Sequence, residues 1–188
     1  MSEAARHAFY TLEEYLLLEE RSEIRHEYVD GQILAMAGGT PDHSRICANV
    51  TVALGTGLAG RRCAVFSSDA RVLVKATGLD TYPDVSVVCG KIERDAVDKN
   101  AITNPILVVE VGSPSTQAYD RGRKLDHYRR IPSLREVVLV SHDGRRLEVH
   151  RRVEGDEWTV EAAEKGAIRL QSIDCELAVE DVFRDPLA

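Results

Sequence analysis

One segment of the chain, PILVVEV at residues 105–111, is apolar at nearly every position and carries a single carboxylate, Glu110. An apolar run without alternation predicts a strand covered on both faces, as in the centre of a sheet flanked by helices. An ionised carboxylate in such a strand must be paired or coordinated, because uncompensated burial of charge is costly. The segment therefore predicts an α/β fold in which Glu110 has a defined partner, either an arginine or a metal ion.

Several other segments are short, rich in Val and Ile, and bounded by turn residues, as strands are. In chain order they read CAVFSS, DARVLVKA, DVSVVCG, REVVLVS, RRLEVHRR and EWTVEAAE. The last three predict an antiparallel meander whose first turn is the sequence HDG. The pair Asp30-Gly31 predicts an earlier hairpin turn. Together with residues 105–111 these segments predict one mixed central sheet.

Helices are predicted between the strands. Residues 11–20 have Thr11 as an N-cap with a glutamate in capping-box position. The segment PDHSRICANVTVALGTGL has apolar residues near helical spacing. A third helix is predicted after the central strand, with Ser115 or Thr116 as its N-cap, and it would end before Pro132. A short helix is expected in the tail, DCELAVEDVF. The fold class expected is α/β, with a mixed sheet flanked by helices.

The chain length and composition are those of one globular domain, expected to span residues 1–188. Hydrophobic residues make up 44% of the chain and charged residues 29%, the ordinary balance of a soluble protein. No stretch has the roughly 18 consecutive apolar residues that a membrane helix needs, so a soluble, cytoplasmic protein is expected.

Four cysteines are scattered singly, without a CxxC pair or zinc-like spacing: Cys47, Cys63, Cys89 and Cys175. Isolated cysteines of this kind are expected to be reduced packing residues.

The basic residues are concentrated in two neighbouring segments although the formal net charge is −7. Such segments could form a basic face that binds phosphates, or two solvated surfaces with ordinary salt pairing. The residues are Arg121, Arg123, Lys124, Arg129, Arg130, Arg135, Arg145, Arg146, Arg151 and Arg152.

Two carboxylates, Asp84 and Glu110, follow from the strand pattern as candidate metal ligands. Asp84 comes after a proline at the start of a predicted strand, and the next predicted strand carries Glu110. Two converging carboxylates repel each other unless a cation offsets them, and Mg²⁺ and Mn²⁺ prefer carboxylate and water oxygens. Asp84 could instead be a turn or strand-cap residue.

The run YPDVSVV, followed by NPILVVEVGSPSTQAYDRGRKLDHYRRIPSLREVVLV, resembles the Uma-two family of bacterial restriction endonucleases. This family is a branch of the PD-(D/E)xK nuclease superfamily. The resemblance extends to HEYVDGQILAM and covers nearly the whole chain. It implies a restriction-endonuclease-like fold and a metal-dependent endonuclease. Where the family commonly reads E-Y-W-L-V-D, this chain reads EVVLVS and ends the strand on Ser141.

The resemblance also implies roles for particular residues. Asp84 corresponds to the aspartate of the PD motif and Glu110 to the acid of the (D/E)xK motif, both as metal ligands. The lysine of that motif is missing from the strand, where Gly112 stands, and Lys124 corresponds to the family's lysine on the next helix. Glu27 resembles an acidic residue that could add an indirect metal contact through water.

Five further residues have a candidate functional role, and three of them also have a structural interpretation. Asp120 and Arg121 match the family's Y-D-R segment and could orient Lys124 or contact phosphate, or could form surface salt bridges. Arg129 and Arg130 are candidate nucleic-acid-binding residues. His43, at the start of its helix, is more typical of a capping or packing histidine than of a catalytic base.

The sequence therefore predicts a Mg²⁺- or Mn²⁺-dependent endonuclease that hydrolyses phosphodiester bonds, with double-stranded DNA as the expected substrate. Asp84, Glu110 and Lys124 are the predicted catalytic residues. A homodimer is expected, because nucleases of this superfamily often pair about a two-fold axis. The leading alternative is a nuclease fold that has lost hydrolysis and acts as a binding or oligomerising module, and a third is an enzyme that acts on another phosphate ester or a small substrate.

Overall fold

Three sheets contain the strands of this computed structural model, which describes residues 9–36, 38–112, 119–141 and 144–188. The strands are β1 (His26–Val29), β2 (Gln32–Ala35), β3 (Cys63–Ser67), β4 (Arg71–Val74), β5 (Leu79–Thr81), β6 (Val85–Cys89), β7 (Ala101–Ile102), β8 (Leu107–Gly112), β9 (Glu136–Ser141), β10 (Arg146–Arg152), β11 (Trp158–Ala163), β12 (Ala167–Leu170) and β13 (Cys175–Ala178). The helices are α1 (Leu12–Glu19), α2 (Pro41–Gly57), α3 (Leu125–Tyr128) and α4 (Val179–Val182). The elements form a mixed α/β fold, as the sequence predicts.

The largest sheet has six strands in the order β11-β10-β9-β8-β6-β3. Strand β8 lies inside it, parallel to β9 and antiparallel to β6. Its first five residues are all buried. The prediction of a central strand at residues 105–111 is therefore confirmed, and so is the β9-β10-β11 meander.

The side chains of β8 point alternately to the two faces of this sheet, and each face has its own core. Val109 and Val111 pack with α2 and the carboxyl-terminal strands. Val108 packs on the opposite face, with Leu125 and Tyr128 of α3. Because alternate residues of a strand share a face, Glu110 lies on the α3 side.

The other strands form separate sheets, so the prediction of one central sheet is wrong in this respect. A five-stranded sheet has the order β2-β1-β5-β4-β7, and β12 pairs with β13. The chain turns from β1 into β2 at Asp30 and Gly31, which have φ angles of 51° and 77° and form the predicted hairpin turn. This second sheet places Glu27 of β1 beside the main sheet.

The helices largely follow the sequence. Thr11 caps α1 in a capping box, and Thr40 caps α2, accepting a hydrogen bond from the backbone N–H of His43. The short α4 also forms, as predicted for the tail. The predicted N-caps Ser115 and Thr116 and the HDG turn fall outside the described residues.

The third predicted helix differs from expectation. Residues Asp120–Lys124 form a π-helical turn, and Gly122 within it has non-helical angles of φ −104° and ψ −106°. Helix α3 then adds only one further turn. A kink at Gly122 therefore interrupts the predicted helix.

The cysteines also differ from expectation. Cys63 and Cys89 form a disulfide, so the prediction that all four cysteines are reduced is wrong for this pair. The two residues lie directly opposite each other in the antiparallel β3–β6 pair, a relationship that sequence spacing does not reveal. Cys47 and Cys175 are free thiols.

Among the described residues, no helix combines the length and the apolar character that crossing a membrane requires.

Candidate active site

Asp84 immediately precedes β6, and Glu110 lies on the neighbouring strand β8. The β6–β8 register pairs Val85 with Val109, and one further step along the same register places Asp84 opposite Glu110. Directly opposite residues of an antiparallel pair have Cβ atoms roughly 4.5–5.5 Å apart. The chain therefore brings the two predicted metal ligands together where β6 begins and β8 ends.

The Asp84 carboxylate is held by the backbone and by a histidine. Its Oδ2 accepts a hydrogen bond of 2.7 Å from the backbone N–H of Val111, which fixes the side chain against β8. The His43 Nε2 atom lies 3.3 Å from the same carboxylate. The hydrogen bond to Asp84 raises the pKa of His43 above its ordinary value, against the opposing effect of partial burial.

Glu110 is buried, with 5% of its surface exposed. Its Oε1 accepts a hydrogen bond from the Tyr128 hydroxyl and lies 3.0 Å from the Nζ atom of Lys124. Burial raises the pKa of Glu110 to about 8; Lys124 opposes this shift, and Asp84 and Asp120 add to it. Glu110 therefore has the defined partner that its place in a buried strand requires.

Lys124 forms ion pairs with two carboxylates. Its Nζ atom lies 2.8 Å from Glu27 Oε1 as well as 3.0 Å from Glu110 Oε1. Desolvation alone would lower the pKa of Lys124, but the negative charges of Glu110 and Glu27 outweigh it and hold this pKa well above the ordinary value. Lys124 is therefore an ammonium ion in the buried network. Glu27 also accepts a hydrogen bond from Thr81.

Lys124 and the carboxylates of the site line one cavity of about 480 Å³. Four carboxylates contribute to its wall: Glu27, Asp84, Glu110 and Asp120. Carboxylate oxygens are the donors that Mg²⁺ and Mn²⁺ prefer, so the donor set fits such an ion. Asp84 and Glu110 both line this cavity, and Lys124 lies between Glu110 and Glu27.

A second donor set adjoins the first. The side chains of His43, Cys47 and Asp84 each offer a ligand atom, and these atoms lie within 4.8 Å of one another. No other group of three or more His, Cys, Asp or Glu residues meets this spacing in the part of the chain that the structure describes.

The basic residues predicted to contact nucleic acid are placed less favourably than expected. Arg121 is 2.8 Å from Glu148 Oε2 and lies outside the cavity, and Arg129 pairs with Asp126 at 3.3 Å. Arg130 is exposed.

Several others of the ten basic side chains also have carboxylate partners, namely Arg123, Lys124, Arg146, Arg151 and Arg152. Ordinary salt bridges therefore neutralise most of the ten basic side chains, because the β9-β10-β11 meander and the β1 hairpin bring acidic residues beside them.

Tyr128 and His43 contact the carboxylates of the site, although the sequence predicts no functional role for Tyr128 and favours a structural role for His43. Tyr128 appears in the sequence as an apolar position of a helix, yet its hydroxyl donates to Glu110. The signal was its spacing of one helical turn from Lys124, which puts both residues on the same face. The sequence favours a capping or packing role for His43, but its ring lies within hydrogen-bonding distance of Asp84.

The chain is similar to several known proteins. It is 39% identical over 175 residues to the uncharacterized protein slr1290 of Synechocystis sp., covering 92% of this chain and 90% of that protein. It is 32% identical over 148 residues to sll1609 of the same organism, covering 79% and 84%. A crystal structure described as a putative nuclease belonging to DUF820 from Anabaena variabilis superposes with a TM-score of 0.73 at 22% identity, covering 92% of this chain and 97% of that one. This last likeness establishes the fold.

A family model gives the most specific match. Residues 12–180 match the Uma2 family, whose description is "Putative restriction endonuclease". The matched range contains both opposed carboxylates, Lys124 and Glu27. The chain belongs to the Uma2 family.

Proposed function

We propose that this protein is a metal-dependent endonuclease that hydrolyses phosphodiester bonds in double-stranded DNA, and that residues 1–188 form a single nuclease domain. The observation that carries the proposal is the opposition of Asp84 and Glu110 across β6 and β8, with the Lys124 ammonium 3.0 Å from Glu110. Membership of the Uma2 family, whose description names a nuclease activity, supports the same class of reaction.

In the proposed site Asp84 and Glu110 would hold the metal ion, and Glu27 would contribute through water. When bound, such an ion would act as a Lewis acid and lower the pKa of a coordinated water. The backbone N–H of Val111 fixes one oxygen of Asp84, and Tyr128 and Lys124 together fix Oε1 of Glu110. These contacts orient both carboxylates before an ion or a substrate arrives, which lowers the cost of reorganisation during the reaction.

Lys124 acts as a fixed positive charge rather than as a base, because its neighbours hold it protonated. An ammonium beside a scissile phosphate stabilises the negative charge that develops on the phosphoryl oxygens. The low exposure of Lys124, 5%, strengthens this interaction because little water screens it.

The second candidate function is a nuclease-fold module that binds or oligomerises without hydrolysis. The observation in its favour is that Glu110 is already paired with Lys124 and Tyr128, so the buried charges compensate one another within the chain. An inactive module retains this network for stability alone. It would show no metal-dependent cleavage.

Cleavage of supercoiled plasmid DNA with Mg²⁺ or Mn²⁺ distinguishes the two functions. The nuclease proposal expects nicked and linear products from the parent protein, inhibition by EDTA, and no products from Glu110→Gln or Asp84→Asn. Glu176→Gln, which changes an exposed glutamate on β13, is the matched control and should cleave like the parent. Intact plasmid after incubation of the folded parent with either metal would reject the nuclease in favour of the inactive module.

We also propose that the protein forms a homodimer, since two sites related by a two-fold axis can act on the two strands of a duplex. Light scattering at micromolar concentration should give twice the monomer mass of 20.8 kDa. A mass equal to that of one chain, with or without duplex DNA, would reject the dimer.

A further inference from the structure

Two side chains of α2 lie one helical turn apart and converge on Asp84. His43 and Cys47 occupy positions i and i+4, which place them on the same face of the helix. The Cys47 Sγ atom is 3.7 Å from His43 Nδ1 and 3.9 Å from His43 Nε2, and Nε2 is 3.3 Å from the Asp84 carboxylate. Three different donor types, a thiol, an imidazole and a carboxylate, thus meet at the amino-terminal end of α2.

Two of the three separations between these donors are close to those of ligands around one tetrahedral ion. Zinc binds sulfur at about 2.3 Å, and nitrogen and oxygen at about 2.0–2.2 Å. For a tetrahedral angle these lengths give nitrogen–oxygen separations of roughly 3.3–3.5 Å and sulfur–nitrogen separations of roughly 3.5–3.7 Å. The observed 3.3 Å and 3.9 Å agree with both to within a few tenths of an ångström.

The local backbone favours this arrangement. Thr40 caps α2 by accepting from the backbone N–H of His43, which fixes the first turn. A Cβ atom at Gly39 would lie 2.5 Å from His43 Nδ1, so the glycine leaves room for the ring. The Val111 N–H orients Asp84 from the other side. Supporting contacts of this kind determine the orientation of metal ligands.

The cavity supplies an entry path and an open coordination position. His43 and Asp84 both line it, so an ion bound between them and Cys47 would face the cavity on its fourth side. Three protein ligands with one open position are typical of zinc sites that carry out chemistry.

The geometry points to a second metal position, formed by His43, Cys47 and Asp84, that takes a thiophilic divalent ion of the zinc class and shares Asp84 with the carboxylate site. Thiolate and imidazole donors select Zn²⁺ and Co²⁺ over Mg²⁺, which prefers oxygen. The two positions therefore differ in the ions that they select. Binding of a zinc-class ion by His43, Cys47 and Asp84 does not depend on the proposed nuclease activity.

Titration of Co²⁺ into the metal-free protein tests this position, since a cobalt–thiolate bond gives a charge-transfer band in the near ultraviolet. The parent should develop this band to one equivalent of Co²⁺, stoichiometric Zn²⁺ should abolish it, and excess Mg²⁺ should leave it unchanged. Omitting thiol reductants keeps Cys63 and Cys89 paired, so that Cys47 and Cys175 are the free thiols.

Two cysteine variants identify the ligand. Cys47→Ala should lose the band, whereas Cys175→Ala, the matched control, should keep it. His43→Ala should weaken Co²⁺ binding by at least about tenfold, on the scale expected even for residues that only support a metal ligand. Circular dichroism verifies that each variant is folded.

Either of two results would overturn the proposal: no band in the folded parent, or a band that survives in Cys47→Ala. The band is measured without nucleic acid, so an inactive parent enzyme leaves this test intact. The band should also persist in Glu110→Gln, and its loss there would mean that the two metal positions are one.

Discussion

The Nζ atom of Lys124 lies 3.0 Å from Oε1 of Glu110, although the two residues belong to different elements and the lysine ends a kinked turn. Both residues are 5% exposed. Gly112, two residues after Glu110 on β8, shares its face of the strand. The Lys124 ammonium thus approaches Glu110 from the face of the sheet that α3 covers. Gly112, the next residue of β8 on that face, has no side chain.

Lys124→Ala should lower turnover by about 100-fold or more, the scale of losing one charge-stabilising donor. The variant should also lose stability, because Glu27 and Glu110 would be left buried without their shared cation. Plasmid cleavage under saturating Mg²⁺ and thermal unfolding measure the two effects. Lys165→Ala, at an exposed turn, is the control and should change neither.

Adding Gly112→Lys to Lys124→Ala should recover part of the lost turnover, because it returns an ammonium to the same face of β8. Unaltered turnover in Lys124→Ala would show that Lys124 has no catalytic role.

Asp80→Asn should stabilise the protein at neutral pH. Asp80 is fully buried, and neither of its carboxylate oxygens has a hydrogen-bond partner among the residues that the structure describes. Burial raises the pKa of Asp80 to about 8 from the usual 3.8, against the opposing charge of Arg71. The folded state then holds a proton that the unfolded state releases, so Asp80 makes stability fall as pH rises from about 4 to about 8.

The melting temperature of Asp80→Asn should accordingly exceed that of the parent near pH 8, and the difference should shrink as the pH approaches 4. Asp126→Asn changes an aspartate whose side chain is 73% exposed and serves as the control. A difference of constant size across this range would contradict the assignment of the raised pKa to Asp80.

Glu136→Ala should destabilise the fold by about 3–5 kcal/mol, as expected when one partner of a buried ion pair is removed. Glu136 has no exposed surface, and it accepts hydrogen bonds from Arg151 Nε at 2.8 Å and from the backbone of Gln171 and Ser172. Urea unfolding measures the loss. A change below about 1 kcal/mol would mean that these donors find other partners.

Arg130→Ala should reduce the salt dependence of DNA binding. Arg130 is exposed, whereas Arg121 is neutralised by Glu148. The slope of log K against log salt concentration should become shallower by about 1 for Arg130→Ala if this side chain contacts phosphate, and by less for Arg121→Ala. Fluorescence anisotropy at several salt concentrations gives both slopes. Equal slopes for the parent and Arg130→Ala would mean that Arg130 does not contact phosphate and that DNA binds away from α3.

The sequence was most informative where a local pattern has one physical meaning. The capping box at Thr11, the hairpin at Asp30-Gly31 and the buried strand around Glu110 depend on neighbouring residues, and the structure contains all three. The expectation that Asp84 and Glu110 belong to adjacent strands came from the order of the apolar segments. Their direct opposition required the β6–β8 register, which the sequence does not encode locally.

Features that depend on long-range register or on a special backbone were not predictable. The Cys63–Cys89 disulfide arises because two distant strands pair at those residues. The kink at Gly122 interrupts a helix whose composition otherwise favours continuation. The salt pairing of Arg121 depends on Glu148, which the meander brings back across the sheet.

Anomalous diffraction from a crystal grown with Mn²⁺ is the decisive measurement for the proposed metal site, because it locates the ion independently of any assay. Joint binding of the ion by Asp84 and Glu110 predicts an anomalous peak roughly 2.0–2.3 Å from an oxygen of each carboxylate. Carboxylates more than roughly 8 Å apart with no peak between them would contradict it, since ligand distances near 2 Å cannot span that gap.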